Sequence, residues 1–134
     1  MSSPAVGTGT VLVVEDYEEL RDLFREILES AGYRVLTAPD GEAALKLARE
    51  HPGEVDVLLT DIVMPDMLGP DLAARLKREN TGLRLLFMSG HGQPALARVA
   101  ALPPGARLLQ KPVMGQELLE QLRQVLAAPP AGAG

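Results

Sequence analysis

Five short apolar runs, each ending in polar or turn-forming residues and separated by segments of helical spacing, constrain this chain more than any other feature. "TVLVVED" (10–16) and "VDVLLTD" (55–61) are almost unbroken β-branched and leucine runs, as expected of strands covered on both faces. "YRVLTA" (33–38), "LRLLFMS" (83–89) and "ARLLQK" (106–111) complete the set. Between them, Leu20, Leu23, Phe24, Ile27 and Leu28 recur at helical spacing and are closed by Gly32. Ala44, Leu47 and Ala48 mark a helix entered from "PDGE", and Pro70 fits the first turn of another carrying Leu72, Ala73 and Leu76. A short helix is expected from Pro94 to about Ala101, and Leu118, Leu122, Val125 and Leu126 define the last. Strands alternating with helices predict an α/β, doubly wound parallel sheet with right-handed crossovers and helices on both faces.

In such a sheet the functional crevice lies at the carboxyl ends of the strands, beside the point where strand order reverses. Strand one ends in Glu15–Asp16, strand three in Asp61, strand four in Ser89 and strand five in Lys111; strand two ends in Thr37–Ala38. If the order is 2-1-3-4-5, the four strands with polar ends are neighbours. Three carboxylates, a hydroxyl and an ammonium then share one crevice. Crowded carboxylates repel, and their pKa values rise unless a cation sits among them. An oxygen-seeking divalent ion such as Mg²⁺ answers that need. A carboxylate flanked by such an ion, Lys111 and Ser89 has the parts of a phosphoryl-transfer site, in which aspartate can be the nucleophile. Each residue also has a plain structural reading: Glu15–Asp16 complementing a helix dipole, Asp61 and Ser89 forming turns, Lys111 as a surface lysine. Their coincidence at matched strand ends favours the crevice.

The 134 residues suit one domain, expected over 10–127 between disordered tails at 1–9 and 128–134. The net charge of −5 argues against direct nucleic-acid binding, and the absence of cysteine excludes disulfides and thiolate chemistry. No run approaches the ~18 apolar residues of a membrane span, and the N-terminus has no signal-peptide pattern, so a cytoplasmic location is expected. His51 and His91 lack metal-ligand spacing.

The acidic pair Glu15–Asp16, "DIVMPDMLG" from Asp61, "MSG" with Ser89 and "KP" at Lys111–Pro112 together resemble the receiver domain of two-component response regulators, over about residues 10–127. The resemblance implies a flavodoxin-like (βα)5 fold with strand order 2-1-3-4-5. It implies that Asp61 is the phosphoacceptor, loaded from the phosphohistidine of a histidine kinase or phosphotransfer protein. Asp16, Asp61 and the Val63 carbonyl would hold Mg²⁺ (or Mn²⁺), with Glu15 acting largely through water. Ser89 would bond the phosphoryl group, Lys111 would pair with Asp61 at rest, and the Lys111–Pro112 bond would be cis. Such a domain is a signalling module with self-catalysed phosphotransfer and autodephosphorylation, switching a surface for a downstream protein partner.

Two positions depart from the family's pattern: Leu108 stands where an aromatic residue is usual, and Val113 follows the "KP" pair. Coupling to the surface is therefore expected through residues 89–102 instead of an aromatic rotamer, and Val63 and His91 are expected to flank the path of a hydrolytic water. Three alternatives compete with this reading. An aspartyl-phosphate phosphatase needs a second aspartate two residues after the nucleophile, where this chain has Val63. A phosphorylation-independent pseudo-receiver conflicts with the intact acidic set, Ser89 and Lys111. The third alternative is the receiver of a hybrid histidine kinase, separated from its kinase, because "LLFMSGH" and "LLQKP" resemble the receivers of such kinases.

Overall fold

The computed structural model describes residues 9–90, 102 and 105–127. Its sheet contains β1 (Thr10–Val14), β2 (Arg34–Ala38), β3 (Val57–Asp61), β4 (Arg84–Ser89) and β5 (Arg107–Gln110). These are all parallel, in the order β2-β1-β3-β4-β5. Four helices are described: α1 (Glu18–Ser30), α2 (Gly41–Glu50), α3 (Gly69–Glu79) and α4 (Gly115–Ala127). The helix expected at 94–101, together with His91, lies outside the described residues.

The pleat divides the strand side chains between two cores. Leu12 and Val14 of β1, Leu58 of β3, and Leu85 and Phe87 of β4 pack with Ala44 and Leu45 of α2 and Leu72, Ala73 and Leu76 of α3. The alternate residues Val11, Val13, Val57, Leu59, Leu86 and Met88 pack with Phe24 and Leu28 of α1 and Leu118, Leu122 and Val125 of α4. This two-sided demand explains why β1, β3 and β4 read as continuous apolar runs.

Strands one and five stop short of the expected carboxylates and lysine. The parallel ladder ends at Val14↔Ala38 and at Ser89↔Gln110. Its hydrogen bonding nevertheless continues by one residue, with Glu15 N–H donating to Ala38 O and Lys111 N–H to Ser89 O. Glu15 and Lys111 are thus backbone-anchored at the sheet's rim even though they lie outside the strands. Leu23 also departs from expectation: it is 46% exposed. At 100° per residue it lies roughly 120° from the midline between Phe24 and Leu28, beyond the stripe that faces the sheet.

Helix ends follow local chemistry. Asp40 caps α2 by accepting from Ala43 N–H, and Pro70 occupies the first turn of α3. Gly32, at φ 100°, makes the left-handed turn that leads from α1 into β2. The Lys111–Pro112 peptide is cis. Among the described residues no helix is long and apolar enough to cross a membrane.

Candidate functional site

The chain reverses direction across the sheet at β1: β2 lies on one side of it and β3 on the other. The loops leaving β1 and β3 therefore diverge to opposite faces and open a crevice at the strand ends. Glu15 and Asp16 enter it from the first loop, Asp61 and Val63 from the third strand and its loop, and Lys111 from the end of β5.

Lys111 Nζ lies 2.8 Å from Asp61 Oδ1 and 2.8 Å from Glu15 Oε1. Glu15 is buried, and its second oxygen, Oε2, accepts the backbone N–H of Tyr17 at 3.1 Å. Tyr17 is the residue before α1 and has no side-chain cap, so Glu15 both supports the helix entry and faces the crevice. Arg21, one turn into α1, donates to the Glu15 carbonyl at 2.8 Å and fastens the loop that bears the acidic pair.

Carboxylate oxygens of Glu15, Asp16 and Asp61 lie within 4.8 Å of one another. Among the described residues this is the group of acidic or imidazole side chains close enough to hold a metal. Burial pushes the Asp61 carboxyl up to about 7; the Lys111 ammonium opposes this, and the Glu15 carboxylate adds to it. Burial pulls the Lys111 ammonium down, but its bonds to Asp61 and Glu15 outweigh that and leave it raised. The two directions are consistent because a single ammonium serves more than one carboxylate. The excess of negative charge falls on Asp61, the acid from which most water has been removed. An all-oxygen donor set with surplus negative charge suits a hard divalent cation better than a soft one.

Asp16, Asp61, Ile62, Val63, Met88, Gly90 and Lys111 line a pocket of about 230 Å³ at this point. Ser89 is buried at the end of β4 and lies outside that lining, its Oγ donating to Gly90 O at 3.4 Å. The fold thus gathers Glu15, Asp16, Asp61, Val63 and Lys111, with Ser89 adjacent. His51 sits elsewhere, at the end of α2, where Nδ1 is 3.4 Å from Glu54. Leu108 pairs with Phe87 across β4 and β5 and packs against the α2–α3 core.

Gly69 was not singled out by sequence reading, yet a Cβ there would lie 2.2 Å from the Asp61 carbonyl oxygen. Its own N–H bonds to Ile62 O at 2.6 Å, drawing the start of α3 against the backbone of the carboxylate residue. Because the obstruction is backbone, it cannot swing aside. Gly69→Ala should destabilise the fold by about 1–3 kcal/mol, as a lower urea midpoint with an unchanged denaturant slope. A midpoint equal to wild type would show that the loop relaxes freely.

Comparison with known proteins agrees with this fold. The chain is 37% identical over 122 residues to the sensor kinase CckA of Brucella abortus, covering 90% of this chain and 13% of that protein. It is 34% identical over 118 residues to the response regulator receiver protein CpdR of the same organism, covering 88% of this chain and 97% of CpdR. The crystal structure of the receiver domain from the hybrid histidine kinase CckA superposes with a TM-score of 0.75 at 31% identity, covering 88% of this chain and 99% of that one. Chemotaxis response regulator CheY4 of Vibrio cholerae superposes with a TM-score of 0.75 at 30% identity, covering 89% and 99%. The family model of the response regulator receiver domain matches residues 11–123, which takes in all but the first residue of the sheet and all the crevice residues, and the chain belongs to that family.

Proposed function

We propose that this domain takes a phosphoryl group onto Asp61 from the phosphohistidine of a histidine kinase or phosphotransfer protein. The observation that carries the reading is the buried Asp61 carboxylate, held 2.8 Å from the Lys111 ammonium and clustered with Glu15 and Asp16. An Asp61 oxygen attacks phosphorus, the P–N bond breaks, and the imidazole leaves with its electron pair and takes up a proton. The product is an acyl phosphate. Lys111 neutralises charge on the transferred oxygens, and the Ser89 hydroxyl, one residue beyond the Met88 wall, is available to hydrogen-bond one of them.

Asp16 and Asp61, with the carbonyl of Val63, a residue lining the pocket, would hold Mg²⁺ (or Mn²⁺). When bound, the ion supplies charge neutralisation at the phosphoryl oxygens. Both Glu15 oxygens already accept bonds, from Lys111 and from Tyr17, which supports a water-mediated role for this residue.

The experiment is labelling by a small phosphoryl donor such as acetyl phosphate, with and without Mg²⁺, followed by detection of a base-labile phosphoryl group on Asp61. Asp16→Ala should weaken Mg²⁺ binding at least tenfold, since it removes a direct carboxylate ligand. It should slow labelling correspondingly while leaving the melting temperature near wild type. Labelling that proceeds at full rate in EDTA would remove the metal from the mechanism. A protein that binds Mg²⁺ but accepts no phosphoryl group from any donor would be a phosphorylation-independent binding module.

The relatives frame the setting. One is a receiver within a sensor kinase, of which this chain spans 13%; another, CpdR, is matched over 97% of its length. In either setting the domain acts as a signalling module whose output is a surface presented to a downstream protein.

A further inference from the structure

The loop between β3 and α3 is a small hairpin. Val63 and Leu68 form an antiparallel bridge, and Met64 N–H bonds to Met67 O at 3.2 Å. Gly69 closes its base against Ile62, and Pro65 and Asp66 form its exposed tip. From that tip Asp66 reaches across to α2. Gly41 N–H donates to Asp66 Oδ1 at 3.0 Å and Glu42 N–H to Asp66 Oδ2 at 2.9 Å. These amides belong to the free donors of the first turn of α2, and the next one, Ala43 N–H, is taken by Asp40 of the same segment at 2.8 Å. Met67 lies so close to Gly41 that a Cβ there would come within 2.4 Å of its sulfur. The hairpin is therefore fixed at both ends: at its base on the backbone of Asp61, and at its tip on a helix 24 to 25 residues earlier in sequence.

From this arrangement we infer that Asp66 is a positioning residue for the metal site, holding the hairpin so that the Val63 carbonyl faces the pocket shared with Asp16 and Asp61. Met64 buries its side chain in the core beneath the hairpin, whereas Pro65 and Asp66 at the tip are exposed, so the tilt of the outer half depends on what grips the tip. The grip at the tip is bidentate and charge-assisted, and it falls on a helix N-terminus that favours an anion. The backbone bonds from Gly41 and Glu42 hold the Asp66 carboxyl below its ordinary range, so the clamp favours the charged carboxylate. Asp40 supplies the internal contrast, because its carboxylate caps the same helix through Ala43 N–H, a bond within its own segment.

This inference rests on the metal reading above, and the test separates the two. Mg²⁺ affinity of the full chain is measured by calorimetric titration for wild type, Asp66→Ala, Asp66→Asn and Asp40→Ala, together with hydrogen exchange at Gly41 and Glu42. Asp66→Ala should weaken Mg²⁺ binding about five- to tenfold, the low end for residues that orient metal ligands. Asp66→Asn keeps one acceptor and should restore part of the loss. Asp40→Ala should loosen the first turn of α2 yet leave Mg²⁺ affinity within twofold of wild type. Unchanged affinity in Asp66→Ala, or an equal loss in Asp40→Ala, overturns the positioning role while leaving the metal site standing. Absence of Mg²⁺ binding in wild type overturns the metal reading and this inference with it.

Discussion

Asp61→Asn should abolish phosphoryl uptake and at the same time make the domain more stable at neutral pH. The first effect follows from chemistry, because an amide oxygen is too weak a nucleophile to displace a phosphoryl group, and Glu15, the other carboxylate beside Lys111, has both oxygens engaged by Lys111 and Tyr17. The second follows from the charge balance. Burial raises the Asp61 carboxyl from its ordinary 3.8 to about 7, so the folded state holds this proton more tightly than the unfolded state does. Between pH 4 and 7 the native protein binds more protons than the unfolded chain, and stability falls as pH rises through that window. A displacement of this size corresponds to a ceiling of roughly 4 kcal/mol at neutral pH. Part of this is lost in the variant, since the amide cannot accept the same charge-assisted bond from Lys111. A net gain of about 1–2 kcal/mol remains, on the order of 5 °C in melting temperature. The gain should be largest near pH 8 without Mg²⁺ and vanish near pH 4. Melts of both proteins across that range, beside phosphotransfer assays, test the two effects separately. A variant that still takes up label in the peptide spanning the substituted position would refute the assignment, and one that is less stable at pH 8 would refute the charge account.

The same charge balance explains why the site was legible before the fold was known. A carboxylate at the end of a buried strand is a conflict between pattern and solvation, and conflicts of this kind concentrate at functional sites. Asp61 after "VLLT" and Glu15 after "VLVV" each break a two-sided apolar run, and the topology brings the breaks together. What the sequence hides is contact across long separations. Nothing local marks Asp66 as the partner of Gly41 and Glu42, or Arg21 as the partner of the Glu15 carbonyl. Gly69 had a usable signal, a glycine wedged between the site loop and Pro70 where a helix begins, which is where backbone must approach backbone. Leu23 misled because apolar identity alone does not place a residue on the buried stripe; its angle to Phe24 and Leu28 does. The strand limits at Val14 and Gln110 fell inside the apolar runs because the rim residues keep ladder hydrogen bonds while turning their side chains into the crevice.

Lys111→Met should have the opposite sign to Asp61→Asn in stability and a diagnostic response to Mg²⁺. Lys111 is the cation paired with both Asp61 and Glu15, and its methylene stem is replaced by a side chain of similar length, so packing changes little. Removing one partner of a buried ion pair leaves uncompensated charge, typically 3–5 kcal/mol. Here the lysine side chain is 25% exposed and the pocket opens to solvent, which reduces the expected loss to about 2–3 kcal/mol at pH 8. Without the ammonium the Asp61 carboxyl rises further above about 7, so the native state holds its proton to higher pH. The loss should therefore grow as pH rises from 5 to 9 and shrink in acid, where the carboxyls are protonated in both proteins. Mg²⁺ adds positive charge to the same cluster, so it should recover a larger share of stability in Lys111→Met than in wild type and bind the variant several-fold more tightly. Phosphoryl uptake should nonetheless fall by about ten- to a hundredfold, because the cation that neutralises the transferred oxygens is gone. Tighter Mg²⁺ binding joined to slower labelling is a combination that general loosening of the site cannot produce. A variant with weaker Mg²⁺ binding and a stability deficit independent of pH would mean that Lys111 serves packing, and the counter-ion role would have to be withdrawn.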